Sequence, residues 1–292
     1  MSAPIAPGHV PISAVIMTKN EADNIAACCA SVAWADEVLV VDSFSTDDTV
    51  TLAQEAGARI VRHPFSNYAA QRNFAQSQAS HDWILFVDAD ERISLELRDE
   101  IMRLAASGEI KRYNAYHIQR VHLFSGRWIS APPDRIATAE VRAAITKHEV
   151  SRLFDRRLAT WHRALHEVVS VPEPHGVLDG VICHYSSTNL SLALEDFNAY
   201  TSLEAAFLHR QSKRINVLGA LWRGARTFAF HYVLQGWYRH GENGLLLAAV
   251  AGMTKFTNYA KLWERRQIEA GRGIWTDADR KMLDRYQVED QD

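Results

Sequence analysis

The chain is poor in cysteine and nearly balanced in charge. Its 292 residues include three cysteines, of which Cys28 and Cys29 are adjacent and Cys183 is distant. This spacing excludes a disulfide framework and a zinc site of the usual kind, so we expect a reducing compartment. The net charge of -3 at pH 7 gives no overall attraction to nucleic acid, and we expect no nucleic-acid partner.

Long apolar runs are also absent. The nearest candidate, Gly244–Met253, meets Lys255 well before the ~18 apolar residues that a spanning helix needs. The first nine residues lack the basic start and apolar run that are typical of a secretory signal. We therefore expect a cytoplasmic chain without a simple membrane span. These features do not bear on contact with a membrane surface.

The first hundred residues alternate strand patterns with helix patterns. Asn20 is a predicted cap for a first helix, Ser45 or Thr46 for a second, and Gly57 a predicted stop. The predicted strands are 12–17, 37–42, 58–61 and 83–88, and a third helix is predicted over 67–79. This alternation indicates βαβ units and a parallel sheet, and so an α/β fold.

After residue 110 the pattern changes. Residues 113–120 are typical of an extended segment, and short strands are predicted at 168–171 and 181–185. From about Leu190 the chain becomes helical and rich in aromatic residues. We therefore predict a catalytic domain over residues 10–188 and a helical C-terminal region over 189–292.

Polar residues follow three of the predicted strands, where ligands of parallel sheets collect. They are Thr18, Asn20, Glu21, Asp42, Ser43, Asp88 and Asp90. Asp88 and Asp90 end the apolar run 83–87, and two carboxylates at this spacing can reach one divalent cation, Mg²⁺ or Mn²⁺, together. The alternative is a solvated acidic turn, and the strand-helix units that precede the pair favour a site over it.

Three motifs, in order, resemble inverting glycosyltransferases of family 2: Thr18-Lys-Asn-Glu21, Val41–Asp47 and Asp88-Ala-Asp90. Further segments resemble the bacterial lipopolysaccharide core subgroup, namely Gln71–Phe74, Asp88–Arg92, Leu165–Val168, His184–Ser186 and Tyr259–Trp263. The resemblance implies the GT-A fold of nucleotide-diphospho-sugar transferases, a Rossmann-like mixed sheet flanked by helices with a helical C-terminal extension. It also implies transfer of a sugar, typically glucose, from a UDP-sugar to a lipid-linked saccharide of the lipopolysaccharide core or a similar glycolipid, at the inner face of the cytoplasmic membrane.

The resemblance also suggests roles for the polar residues. Asp42 would accept a hydrogen bond from uracil, although a carboxylate in this position can instead cap the turn that follows. Asp88 would contact the ribose or the metal, and Asp90 would hold the Mn²⁺ or Mg²⁺ that bridges the diphosphate. We expect Thr18, Asn20, Glu21 and Ser43 to contribute to donor binding.

Inversion needs a carboxylate that removes the proton of the acceptor hydroxyl. Glu167 is the predicted base, with Asp134 and Asp155 as competitors. His166 beside it either binds substrate or is a structural histidine. The sequence leaves these alternatives open.

Two further side chains have more than one interpretation. Arg72 pairs with phosphate, with an acid near the site, or with solvent alone, and its neighbours Gln71 and Asn73 have the same standing. His184, late in the sheet region, either completes the metal shell or bonds to backbone in the core.

The C-terminal third mixes aromatic and basic residues at helical spacing, as in Ala220–Leu234. This composition fits a membrane surface carrying a lipid-linked acceptor, and it equally fits a helical pack with basic solvent faces.

Two other functions are open at this stage, a metal-dependent nucleotidyltransferase and a non-catalytic nucleotide-sugar-binding protein. The glycine-free segment Met17–Glu21 argues against the first, and the oligomeric state is not predicted.

Overall fold

A computed structural model describes residues 8–124, 127–129, 151–163, 167–187 and 190–285. Within them the chain forms two compact units. The first consists of residues up to 122 and the described residues of 136–186, and it contains most of the sheet. The second consists of the C-terminal helices and the described part of residues 123–135. The predicted domain boundary at residues 188–189 lies outside the described residues.

The first four strands form a parallel sheet. They are β1 (Ile12–Thr18), β2 (Glu37–Asp42), β3 (Arg59–Arg62) and β4 (Trp83–Asp88), in the spatial order β3-β2-β1-β4. Helices α1 (Ala22–Val32), α2 (Thr49–Glu55) and α3 (Tyr68–Gln78) connect them. The predicted βαβ units are confirmed, with strand bounds that differ by at most one residue. The apolar run 83–87 is buried, as expected for a parallel strand covered on both faces.

The chain then extends the sheet with antiparallel pairs. The further elements are β5 (Glu91–Ile93), α4 (Leu95–Ser107), β6 (Ala115–Phe124), β7 (Arg127–Ile129), β8 (Ser151–Asp155), β9 (Thr160–His162), β10 (Val168–Ser170) and β11 (His175–Ser187). From β4 the order continues β8-β6-β11-β5, with β7 beside β6, and β4–β8, β8–β6 and β11–β5 are antiparallel. Strands β9 and β10 pair separately. The sheet is therefore mixed, and the predicted strand 181–185 is part of the longer β11.

Apolar cores lie on both faces of the sheet. On one face Ile25 of α1 and Leu97 of α4 pack with sheet residues, and both are fully buried. On the other, Phe86, Phe154 and Trp161 pack together beneath α3. Each such side chain contributes about 1.5–3 kcal/mol relative to an exposed one, so the packed faces hold the strand ends in place.

The two predicted helix caps are wrong. Helix α1 begins at Ala22, and Asn20 has φ +55°, a left-handed conformation that Asn tolerates. Its Oδ1 atom accepts a hydrogen bond from the amide of Thr46 at 2.8 Å instead. Helix α2 begins at Thr49, whose amide donates to Asp47. At the first helix a bond between the two loops thus replaces the predicted cap, and at the second the side chain of Asp47, two residues before Thr49, takes the place of Ser45 or Thr46. Gly57, with φ +85°, does follow α2 as predicted.

The second unit is helical, as predicted. It contains α5 (Leu190–Arg210), α6 (Val217–Ala229), a π-helical turn (Phe230–Leu234), a short 3₁₀ helix (Trp237–His240), α7 (Gly241–Glu269) and α8 (Asp277–Arg285). Helices α6 and α7 cross closely at Gly224 and Gly252, where a Cβ atom on either glycine would lie about 3 Å from the carbonyl oxygen of the other. Among the described residues, no helix has the length and hydropathy needed to cross a bilayer.

Candidate active site

The ends of three parallel strands meet at one edge of the sheet. In the β1–β2 register Thr18 lies opposite Asp42, and in the β1–β4 register Met17 lies opposite Asp88. The predicted polar residues therefore share the edge where ligands of parallel sheets bind. This part of the sequence prediction rests on topology, which the structure confirms.

Asp42 and Ser43 lie at the end of β2. Asp42 is fully buried, and its carboxylate accepts hydrogen bonds from the amide and the hydroxyl of Ser45, with Arg62 Nε at 3.8 Å. Ser43 Oγ accepts a hydrogen bond from Gln71 Nε2 at 3.1 Å. Asp42 thus holds the turn after β2, which is the structural alternative that the sequence offered. A role in uracil binding is still a prediction.

Asn20 and Glu21 hold the neighbouring loop. The amide of Asn20 donates to Ser45 Oγ at 2.8 Å, and the amide of Glu21 donates to Thr49 Oγ1 at 2.7 Å. The Glu21 carboxylate accepts from Asn24 Nδ2 at 3.0 Å. Asn20 and Glu21 therefore lie at the site edge, where their observed hydrogen bonds join the loop after β1 to the loop after β2.

Asp88 ends β4 between two arginines. Its Oδ1 accepts from Arg72 Nη2 at 3.0 Å, and its Oδ2 accepts from Arg152 Nη2 at 2.8 Å. Burial alone would raise the pKa of Asp88, but the charges of Arg152 and Arg72 outweigh it and hold that pKa well below its usual value. Asp88 is therefore an anion whose two oxygens both face guanidinium groups.

Sequence reasoning missed Arg152, Glu91 and Arg120. Glu91 is fully buried, accepts the amide of Asp88 at 2.9 Å, and lies 3.4 Å from Arg152 Nη2 and 3.3 Å from Arg120 Nη1. Arg152 itself is buried in β8. The available signal for Glu91 was a charged residue directly after Asp88-Ala-Asp90. Arg152 had no such signal, because it reaches the site through the antiparallel pairing of β8 with β4.

Arg72 joins the predicted base to Asp88. Its Nε donates to Glu167 Oε1 at 2.9 Å, while its Nη2 donates to Asp88. The guanidinium is buried and stacks on Trp161, with 4.7 Å between its carbon and the ring centre. Of the interpretations offered by the sequence, pairing with acids near the site is the one the structure shows. Glu167 and Asp88 thus lie on the two sides of one guanidinium.

Asp90 and His184 form the pair best suited to a metal. His184 Nε2 lies 3.1 Å from Asp90 Oδ2, because β5 and β11 pair with His184 opposite Glu91. One carboxylate and one imidazole suit Mn²⁺, which can take its other ligands from phosphate and water. In the described part of the chain, no group of three or more His, Cys, Asp or Glu side chains is placed for a metal. Beyond Asp90 and His184, a cation here would take its ligands from outside the described side chains, for example from phosphate or water.

The structure describes one of the two competitors for the base, Asp155. Asp155 lies opposite Trp83, the first residue of β4, and so at the other end of that strand from Asp88. Its carboxylate is bound by Arg157 Nη2 at 2.6 Å, so the structure argues against it as the base. Asp134 and His166 lie outside the described residues.

Two buried donor atoms at this edge have no hydrogen-bond partner among the described residues. They are the hydroxyl oxygen of Thr18 and Nη1 of Arg72. Buried polar atoms are rarely left unpaired in native proteins, so such atoms indicate a ligand or water. The edge therefore offers positive and hydroxyl donors beside a carboxylate and imidazole pair, a set suited to a phosphorylated, hydroxyl-rich ligand.

Comparison with known proteins identifies the family to which this chain is similar. Residues 13–116 match the family model described as Glycosyl transferase family 2. An uncharacterized glycosyltransferase of Rickettsia typhi is 31% identical over 264 residues, which cover 87% of each chain. The lipopolysaccharide core biosynthesis glycosyltransferase LpsC of Rhizobium meliloti is 27% identical over 271 residues, or 89% of this chain and 95% of LpsC.

These relatives identify the chain as a sugar-transferring enzyme, and its mixed sheet with a polar edge at the parallel strand ends agrees with the GT-A fold. The chain belongs to glycosyl transferase family 2. Among solved structures, S. aureus TarS 1-349 in complex with UDP-GlcNAc aligns at 16% identity with a TM-score of 0.48, covering 92% of this chain and 94% of that one. Because the chain belongs to a family of glycosyltransferases, this function is favoured over the nucleotidyltransferase and the non-catalytic binding protein.

Proposed function

We propose that this glycosyltransferase moves a sugar, most simply glucose, from a UDP-sugar to a saccharide hydroxyl of a lipopolysaccharide core or similar glycolipid. The similarity to LpsC along nearly the whole chain supports the acceptor class. The enzyme would work at the cytoplasmic face of the inner membrane, where such acceptors carry a lipid anchor. The observation that carries the proposal is the Glu167–Arg72–Asp88 bridge, since it holds the carboxylate that would act as base close to the strand ends where the donor would bind.

The donor would lie across the ends of β1, β2 and β4. Asp42 would read the uracil ring if the Ser45 contacts open to admit it, and Asp88 would contact the ribose. The unpartnered Thr18 hydroxyl and Arg72 Nη1 would donate to donor oxygens. Asp90 and His184 would hold a divalent cation against the diphosphate. When bound, that cation supplies positive charge that stabilises the departing UDP.

The transfer itself is a single displacement. The acceptor oxygen forms a bond to the anomeric carbon, and the bond from that carbon to the diphosphate breaks with its electron pair moving to UDP. Glu167 takes the hydroxyl proton. We assign this step to its Oε2 atom, because Oε1 accepts from Arg72 and the guanidinium fixes the orientation of the carboxylate.

UDP release from a panel of UDP-sugars, with a lipopolysaccharide core acceptor and Mn²⁺, tests the proposal. We expect Glu167→Gln to retain UDP binding but to lose about 10²-fold or more in rate, the scale of general-base removal. Glu173→Gln is the matched control, since that carboxylate is largely exposed in the neighbouring loop. A near-normal rate for Glu167→Gln would place the base elsewhere.

The metal assignment has its own test. Asp90→Ala should abolish the stimulation of UDP release by Mn²⁺, whereas Asp99→Ala, at an exposed position of α4, should not change it. Titration calorimetry of Mn²⁺ in the presence of UDP gives a second measurement that does not depend on turnover. If Asp90→Ala binds Mn²⁺ and UDP as the wild type does, Asp90 is not a ligand.

A further inference from the structure

Helix α6 exposes an apolar stripe to solvent. Leu218 is 74% exposed, Leu221 50% and Trp222 68%. With the exposed Ala225 and Ala229 they recur at the three- and four-residue spacing that places side chains on one helix face. Burial against the rest of the second unit therefore does not account for this face.

The stripe continues past the end of α6. In the π-helical turn Phe230, Val233 and Leu234 are 44%, 54% and 62% exposed. Residues 217–234 thus present a nearly continuous apolar strip that is roughly 25 Å long at the helical rise. We call this strip the α6 surface. Soluble monomers rarely expose large contiguous apolar patches without a binding role.

The sequence that forms the α6 surface and its flanks carries basic residues and no acid. Residues 205–241 contain no Asp or Glu, although the whole chain carries a net charge of -3. The same stretch contains six basic residues, namely Arg210, Lys213, Arg214, Arg223, Arg226 and Arg239. Arg226 is exposed, and the helical period places it at the border of the apolar stripe. An occupant of this surface would therefore be apolar at its centre and anionic at its border.

We propose that the α6 surface docks onto an anionic phospholipid bilayer, with α6 lying in the plane of the membrane. A stretch of 37 residues without an acid suits a partner that is anionic over its whole face, as a bilayer with anionic lipids is. Trp222 and the exposed Tyr238 carry rings of the kind that settle at the headgroup level. This inference deepens the proposed function, since a bilayer would present the lipid-linked acceptor.

Vesicle flotation of the full chain, without donor or acceptor, tests the surface. We expect binding to phosphatidylcholine vesicles that contain about a quarter of phosphatidylglycerol, and much weaker binding without it. Leu218→Gln with Trp222→Gln should lower the partition coefficient about 10-fold or more. Arg226→Gln should lower it about 5-fold at low salt and less at high salt. The matched control is Leu95→Gln with Val177→Gln, two exposed apolar residues of the first unit, which should bind as the wild type does.

Three results would overturn the proposal. The first is a wild-type chain that stays unbound, and the second is equal binding by the Leu218→Gln, Trp222→Gln variant. The third is a wild-type dimer in sedimentation that this variant converts to monomer while neither floats, because the α6 surface would then be an interface between copies. Since flotation uses no substrate, a chain that binds vesicles but releases no UDP supports the surface and contradicts only the proposed function.

Discussion

Replacement of Arg152 by Met tests the buried charges at the end of β4. Arg152 lies between the carboxylates of Asp88 and Glu91, at 2.8 Å and 3.4 Å. Met preserves much of the volume and removes the charge. Two carboxylates would then face each other with one cation fewer, in surroundings that solvate them poorly.

The size of the stability loss depends on the partners that Asp88 and Glu91 would keep. Breaking a buried ion pair by removing one partner costs about 3–5 kcal/mol. Asp88 would keep Arg72, and Glu91 would keep Arg120 at 3.3 Å and the amide of Asp88. We therefore expect the lower end, about 3 kcal/mol of unfolding free energy, or about 6–12 °C in Tm for a unit of this size.

Thermal and urea unfolding followed by circular dichroism measure this loss. Arg103→Met is the matched control, because Arg103 and its partner Glu109 are both 61% exposed, and we expect it to change stability little. Arg152→Lys should fall between the wild type and Met, since one ammonium cannot reproduce the bonds of a guanidinium to two carboxylates. If Arg152→Met unfolds at the same temperature as the wild type, the carboxylates do not depend on Arg152 and the reasoning fails.

Three other substitutions test separate parts of the chain. Phe44 is 53% exposed at φ +59°, so Phe44→Gly should raise the unfolding free energy by about 0.5–1 kcal/mol; an unchanged or lower urea midpoint contradicts this. Burial alone would raise the pKa of Glu37, but hydrogen bonds from Ser13, Ser80 and Arg59 lower it to about 2. The Glu37 carboxylate therefore contributes to the unfolding free energy above its ordinary pKa near 4.5, and this contribution is lost as the pH falls towards 2. Glu37→Gln should flatten acid unfolding in that window, and an unchanged pH profile refutes this. Gly224→Val should lower the unfolding free energy by about 1–3 kcal/mol, because its Cβ would lie 2.9 Å from the carbonyl oxygen of Gly252. The control Ala225→Val, at an exposed position of the same helix, should leave the urea midpoint unchanged.

The sequence predicted what depends on local pattern. The parallel strands and the helices between them follow from apolar runs and turn residues, and the polar strand ends follow from the topology those elements imply. The helix start at Asn20 was wrong because a hydrogen bond from Thr46, 26 residues away, outweighed the local capping rule. Arg152 was missed for the same kind of reason. Its partner Asp88 is 64 residues away, and only the pairing of β8 with β4 brings the two together.

The charged cluster at the site edge fits the proposed catalysis better than it fits a role in stability. Among the described residues, Arg72, Arg152 and Arg120 alternate in contact with Glu167, Asp88 and Glu91. Apolar residues of equal volume often stabilise a core as well as buried ion pairs do, because desolvation offsets the attraction. Fixed charges are worth more where new charge develops during a reaction, since they need no reorganisation. Arg72 meets that description, because one rigid guanidinium orients both the proposed base and the aspartate of the donor edge.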